Sequence, residues 1–513
     1  MKHKLFFSII VFLVIALTPS IAFSEATYRS YIYNSWGEAV PTPNAYLPMR
    51  FLIGSDMQVG SLDNPRDVFV EKSRNELYIA DTGNDRIIRL DKEYNLIEIY
   101  DSFAHEGMQT LMDGPKGVFV TESGEMYIAD EGNRRVLVTD LDGEVIRIVK
   151  TPDTDILPAN FIFRPEKVAV DSHGILYVQA FGVYQGLISY NEDGSFNGFF
   201  GSNRVEISLQ LLSDLFWRRL FTAQQREGMV RYVPTEYSNV FVCSDDFKYA
   251  TVSYSDLSVE QVRKLNNLGV DIMRVGSHAA PTGQKNYGDF AEWDGRERIV
   301  TSLVDIHVDD NGFISVLDAS RGRVFQFDQE SNLICVFGGK GNQLGTFKNP
   351  VAIDVFNEKI IVLDAEKGSI TEFSITTFGE TIREAILLFN EGLYDMALDP
   401  WEEVIKRSTN YELAYVGIGR ALYNKHTKED YREAMRYYRL GYDRAGYSDA
   451  FKGYSTEVVR ENFGLLVFGL ILLTITPKII ISRERILISI KNKFIRFRYK
   501  VKKSKKETEG GIG

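Results

Sequence analysis

The sequence predicts a mainly β protein: a six-bladed β-propeller, followed by a small α-helical region and a single transmembrane helix. Three observations carry that prediction. Short apolar runs bounded by turn residues recur at a spacing of 50 residues. From Glu380 the apolar period lengthens from about two to about 3.6 residues. Near the C-terminus, Phe463–Ile481 is a 19-residue stretch without an acid.

The clearest β unit is Asn64-Pro65-Arg66-Asp67-Val68-Phe69-Val70, then Glu76–Asp81 and Arg86–Asp91, with a fourth strand at Leu96–Tyr100. Val, Ile, Phe and Tyr fill the runs, and Asn, Asp, Gly and Pro bound them, which is the pattern of strands and turns. One such sheet is too small to bury its own faces and needs neighbours. Pro65, Pro115 and Pro165 fall 50 residues apart, as do Val68, Val118 and Val168. Tyr78-Ile79-Ala80-Asp81 returns as Tyr127-Ile128-Ala129-Asp130, and later units follow at Leu303–Val308 with Val316-Leu317-Asp318 and at Asn349–Ile353 with Val362-Leu363-Asp364. A degenerate unit lies between them, at Asn239–Val242, Tyr249–Ser253, Gln261–Asn266 and Val270–Met273. Six four-stranded units around a ring make a propeller spanning residues 61–376.

The segment 25–60, with Tyr28–Tyr33 and Pro41, Pro43 and Pro48, is expected to run back and close the ring, because the sixth unit ends early near Ile375. Val168 to Val240 is 72 residues and Val240 to Ile306 is 66, so two insertions flank blade four. The first, about 205–228, carries Leu209, Leu212, Phe216 and Leu220 at helical spacing and is expected to pack across the propeller, with a partner-docking or membrane-docking helix as the alternative. The second, about 277–298, is Gly-rich and polar and reads as a long surface loop.

Residues 380–452 read as two helical pairs. Ala397/Trp401 is repeated by Ala434/Tyr438, 37 residues later, across a turn at Asn424–Asp430 about three residues longer than a compact one. The corrected period of about 34, with Gly419, Leu422, Tyr431 and Ala434, resembles two degenerate tetratricopeptide repeats, the first lacking its glycine. Two repeats are marginal alone, so docking on the propeller is expected.

Residues 1–24 combine Lys2 and Lys4, an apolar run from Leu5 to Leu17 and small residues at Ala22-Phe23-Ser24, the pattern of a secretory signal peptide. Residues 463–481 are long enough, at about 1.5 Å per residue, to cross a bilayer. The tail 482–513 holds 11 Lys/Arg against 3 Asp/Glu, which puts it in the cytoplasm and the large domain outside. Ile486, Ile490, Phe494 and Phe497 among its basic residues suit an anionic inner leaflet. Removing the +8 of the tail and the +2 of the leader from the chain's −11 leaves −21 for residues 25–481, which argues against nucleic acid as a ligand. The two cysteines, Cys243 and Cys335, fall in different blades and are expected to be buried free thiols.

The blades resemble NHL repeats. Asn64–Asp91 matches, and Phe337-Gly338-Gly339-Lys340-Gly341 with Gly345–Pro350 resembles the interblade signature of that family, over about residues 50–375. The whole arrangement resembles bacterial membrane-anchored NHL proteins. That resemblance implies protein or small-ligand interactions, carbohydrate-transport-related ones among them; no cofactor is expected.

Two enzyme families share the architecture. The Glu-Gly-Pro entry motif of gluconolactonase-type metal sites is missing, with Asp113-Gly114-Pro115 nearest to it. Amidating lyases place histidines around zinc, which needs about three convergent ligands. Of six histidines only His105 and His278 fall in blade-connecting loops, and His307, between Ile306 and Val308, reads as packed between blades. His105 and His278 are thus weak metal candidates, with no third partner and no catalytic residue to accompany them.

The binding reading rests on the strand starts, which in a propeller ring the channel mouth. Arg66, Lys116, Glu166, Lys167 and Asp305 are the ligand-binding candidates there. The repeated pairs Asp81/Arg86, Asp130/Arg135 and Asp318/Arg323 are expected to hold turns. The sequence thus predicts a membrane-anchored extracytoplasmic binding or scaffold protein with a protein partner or small ligand and no catalysis of its own. A metal-dependent lactonase or lyase, and a sensor coupled to a cytoplasmic partner, are the alternatives.

Overall fold

A computed structural model describes residues 26–158, 160–201, 236–252, 261–273, 287–289, 292–293 and 298–509. Six sheets follow one another as blades. Blade one is Asp67–Glu71, Glu76–Asp81, Arg86–Leu90 and Leu96–Tyr100; blade two is Pro115–Val120, Met126–Asp130, Arg135–Thr139 and Val145–Val149. Blade three is Pro165–Val170, Leu176–Ala180, Leu187–Tyr190 and Phe196–Phe200. Each is antiparallel in chain order. The apolar side chains of alternate residues fill the space between neighbouring sheets, so that Ala80, Ile87 and Phe103 meet Val118, Ile128 and Leu137. Periodicity of two on both faces of each sheet is what the stacked blades require.

Among the described residues blade four has three strands, Asn239–Val242, Lys248–Thr251 and Val262–Leu265. The fourth run expected at Val270–Met273 forms only a bridge between Leu265 and Asp271, because the Asp271 carboxylate takes the backbone N–H groups of Lys264 and Met273. Blade five, Leu303–Val308, Ile314–Asp318, Arg323–Phe327 and Leu333–Gly338, is widened by Tyr31–Tyr33 and Ala39–Pro41. Blade six is Pro350–Phe356, Lys359–Asp364 and Ser369–Ile375, with Tyr46–Ile53 as its outermost strand. One sheet therefore joins residues more than 300 positions apart, as in the pair Ser369 and Ile53.

Asp81, Asp130, Asp318 and Asp364 are all fully buried. Each accepts the backbone N–H that leads into its own inner strand, at Asp63, Asp113, Ser302 and Lys348. Arg86 and Arg135 complete the turn with ion pairs of 2.8 and 2.7 Å to Asp81 and Asp130. Blade five departs from the expectation. Arg323 instead reaches Asp289 and the Tyr31 hydroxyl, while Asp318 takes the N–H and Oγ of Ser320. Asp289 and Tyr287 belong to the segment expected to be a surface loop, yet both are buried. Tyr31 and Tyr33 also donate to Asp289, so this carboxylate ties the insertion to the N-terminal strand. The helix expected within 205–228 lies outside the described residues, as does the leader 1–24.

Five helices follow: α1 (Thr377–Asn390), α2 (Tyr394–Arg407), α3 (Glu412–Tyr423), α4 (Lys428–Leu440) and α5 (Arg444–Glu509). The Thr376 and Thr427 side chains cap α1 and α4 through the N–H groups of Gly379 and Asp430. The chain divides into two compact units, residues 1–417 and 418–513, within α3. In the first, the buried Tyr411 hydroxyl donates to the Ile334 carbonyl at 2.6 Å, and Ser35 N donates to Glu412 at 2.8 Å, which seats the helices on blade five. In the second, Gly419 faces the Tyr438 ring so closely that a Cβ would stand 2.9 Å from it. The chain does not break into separate helix, span and tail. α5 runs through the segments expected to be a helix, a span and a tail as one helix of 66 residues, about 99 Å at 1.5 Å per residue, with Pro477 inside it. Its most apolar stretch has a mean hydropathy of 2.3, and none of it is buried.

Candidate functional site

Each inner strand enters the ring just before its first apolar residue. That position is occupied by Asp67, Gly117, Lys167, Asn239, Asp305 and Ala352 in blades one to six. A register shift immediately precedes it in blades two, three, five and six, between Pro115 and Gly117 for example. Such bulges re-aim the next side chain. Lys167 Nζ donates to Asp67 Oδ1, joining blades three and one. Blades that are not neighbours meet only at the axis, so this bond crosses the channel. Asn239 Nδ2 donates to Asp305 Oδ1. Asp67 and Asp305 also accept the N–H groups of Val118 and Ile353 in the following blades, at 3.0 and 2.6 Å. Gly117 leaves room for this closure: a Cβ there would stand 2.6 Å from the Glu166 carbonyl. The cluster therefore seals the channel at this level.

Asp67, Lys167 and Asp305 are 6%, 9% and 4% exposed. One ammonium facing two buried carboxylates leaves an uncompensated charge, and proton uptake relieves it. Burial pushes the Asp305 carboxyl up to about 7, with Lys167 opposing and the charge of Asp67 adding to the rise. Burial likewise raises Asp67 against the pull of Lys167. For Lys167, burial works against the charge but Asp305 and Asp67 outweigh it, and the ammonium is held. The pair of directions is consistent with a retained lysine cation and one proton kept by the carboxylates. Lys167 and Asp305, expected at the mouth, are buried there and are taken up by Asp67 and by Asn239.

The rim is built from the preceding residue of each strand. Lys116 Nζ donates to Glu166 Oε1 at 2.6 Å and lies 3.9 Å from Glu131, which also receives Arg164. Arg164 covers the Phe181 ring at 4.7 Å. Glu236, with its carboxyl raised by burial, accepts the Gly182 N–H at 2.5 Å. Arg66 anchors itself only through its backbone N–H to the Ala80 carbonyl; its shielded Nε has no hydrogen-bond partner among the described residues. Of the predicted candidates, Arg66, Lys116 and Glu166 are half-buried at the rim.

His105 lies in a hairpin, Ser102–His105 with Met108–Leu111, that leaves the ring between blades one and two. His278 falls outside the described residues, among which no three His, Cys, Asp or Glu side chains group to hold a metal. Cys243 and Cys335 are free thiols. Sequence reasoning missed one further cluster. His307, 2% exposed, stands with Nδ1 2.8 Å from Asp354 Oδ1, against the Phe241 ring at 5.1 Å. The sequence carries a signal for it: Asp305 and His307 alternate on one face of the otherwise apolar strand Leu303–Val308, and Asp309 follows just past its end.

Fold and site define a six-bladed β-propeller with an axis closed by an ionised cluster, followed by a helical region. No family model matches the chain, and no curated protein matches it. Solved structures similar to it include virginiamycin B lyase from Staphylococcus aureus, at 9% identity and TM-score 0.38, covering 64% of this chain and all of that one. A gluconolactonase from Xanthomonas campestris has 12% identity and TM-score 0.36, with 65% and 97% covered. A protein of unknown function from Bacteroides thetaiotaomicron has 14% identity and TM-score 0.39, with 68% and 76% covered. At these identities and scores no residue role or chemistry carries over to this chain.

Proposed function

We propose that this chain is a membrane-anchored extracytoplasmic binding or scaffold protein, an NHL-type propeller with tetratricopeptide-like helices, that holds a protein or small ligand at the channel mouth. The observation that carries the reading is the sealed axis. Behind Arg66, Lys116 and Glu166 the cluster of Asp67, Lys167 and Asp305 leaves a fixed polar floor, so a ligand meets a rigid surface one layer deep. Rigid, pre-paired charges favour recognition because little side-chain freedom remains to be lost on binding. Arg66, whose shielded Nε has no hydrogen-bond partner among the described residues, is the contact to which a ligand acceptor brings most. Anchorage is supported by the unburied apolar stretch of α5, and sidedness by the basic residues of 482–513.

The test is affinity capture of the tagged, membrane-embedded chain beside its Arg66→Ala and Lys116→Ala/Glu166→Ala variants. Loss of the same captured species from correctly folded variants is the expected result. Unchanged capture would show that the mouth is the wrong place. Stoichiometric, tightly held zinc or calcium together with lactone hydrolysis or lyase turnover by the wild type would replace the binding reading with the enzyme one.

A further inference from the structure

Lys167 reaches across the channel and ends on the carboxylate of Asp67, 100 residues away in the chain. The two side chains are 11% and 9% exposed. Each of the six axis residues is followed in its strand by a buried aliphatic one, Val68, Val118, Val168, Val240, Ile306 and Ile353, so the surroundings are apolar. An ammonium has three hydrogens to donate. Among the described residues Lys167 Nζ has a single hydrogen-bond partner, Asp67 Oδ1. A second buried lysine on an aspartate is held differently. Lys248 Nζ donates to Asn267 at 3.0 Å, lies 3.0 Å from Asp171 Oδ2 and stands over the Tyr177 ring at 5.2 Å. Asp171 in turn accepts the Tyr177 hydroxyl and the N–H groups of His173 and Ile175.

The Lys248 pair is therefore well stabilised as ions. The Lys167 pair has traded water for one hydrogen bond, so passing a proton from nitrogen to oxygen gives up little. Burial acts in the same direction on Asp67, whose carboxyl is raised. The ammonium is the resting form, and the transfer takes place inside the pair, with no proton lost to solvent. It leaves a neutral amine, a nucleophile, against a carboxyl carbon. Groups held in such contact react as if at up to about 10⁵–10⁸ M. The Val118 N–H, 3.0 Å from Asp67 Oδ2, is placed for the oxyanion that addition would create. Burial also limits the water that would reverse a condensation.

We propose that Lys167 and Asp67 form an intramolecular isopeptide bond that staples blade one to blade three across the channel. The Nζ–Cγ bond forms and the Cγ–Oδ1 bond breaks. Two of the three ammonium protons leave on Oδ1 as water, and the third stays on the amide nitrogen. Cation and anion are consumed together, so the step needs no oxidant, activating group or second protein, and it is independent of what the mouth holds. Peptide mapping by mass spectrometry of the detergent-solubilised full chain, denatured before tryptic digestion, tests it. The expected result is a branched peptide joining the segments that carry Asp67 and Lys167, lighter than their sum by one water and uncut after Lys167. Lys167→Met and Asp67→Ala should each abolish it and run more slowly than the wild type on a denaturing gel, because the 100-residue loop is then open. Should either variant fail to fold, the wild-type map decides alone. Recovery of the two wild-type peptides unlinked overturns the assignment. So does linkage of Lys248 to Asp171 to the same extent, which would mark the condensation as an artefact of preparation.

Discussion

In blade one Arg86 turns back onto Asp81 at 2.8 Å and onto the Val59 carbonyl at 2.8 Å. In blade five Arg323, at the same place in the repeat, is diverted to Asp289 and to the Tyr31 hydroxyl 2.9 Å away. The residue types agree, and the partners do not. Where the repeat keeps its partner it holds a turn within one blade. Where an insertion supplies a buried carboxylate, the same arginine fastens the N-terminal strand to the ring. The difference teaches that a repeated residue reports a position in the scaffold, while what stands beside it decides its role.

The axis sharpens this most, because there the six copies differ outright. Lys167→Met should be the most damaging single change, since it leaves Asp67 buried without its cation. A loss of about 3–5 kcal/mol in unfolding free energy is expected by thermal or denaturant unfolding of the solubilised chain. Arg323→Ala should cost about 2 kcal/mol and also free residues 31–41 to limited proteolysis, whereas Arg86→Ala should cost a similar amount and leave that segment protected. Equal protection in both would erase the contrast between the two blades.

Asp305 gives the pH dependence. Its folded carboxyl sits at about 7 against an ordinary 3.8, so between those values the folded chain holds a proton the unfolded chain has released. Its contribution to stability is therefore full below about pH 4, falls as pH rises and is lost above about pH 7. Melting temperatures at pH 5 and pH 8 should differ less in Asp305→Asn than in the wild type. At the rim, Lys116→Ala should cost under about 1 kcal/mol, because Lys116 and Glu166 remain partly in water.

The propeller was legible because strand periodicity and turn residues are local, and the local pattern was repeated. Pro65, Pro115 and Pro165 sufficed to set the register of three blades. The site was less legible. Lys167 and Asp305 read as polar strand starts, but nothing local says that the chain turns Lys167 inward to Asp67 across the ring, or Asp305 to Asn239. His307 reads as packed between blades because of its apolar neighbours, although alternation places it with Asp305 on one face of the strand. Its partner Asp354 and the α1 residues above it come from far along the chain, and only closure of the ring brings them together. The diversion of Arg323 depends on Asp289, within a segment that has no counterpart in the other blades.

The sealed axis is the claim on which the mouth reading stands, and a double-mutant cycle on Asp67→Asn and Lys167→Met measures it. Unfolding free energies of the wild type, both single variants and the double variant should give a coupling of about 2 kcal/mol or more between residues of two blades that are not neighbours. A coupling under about 0.5 kcal/mol, with the two losses simply adding, would mean that the channel is open at this level.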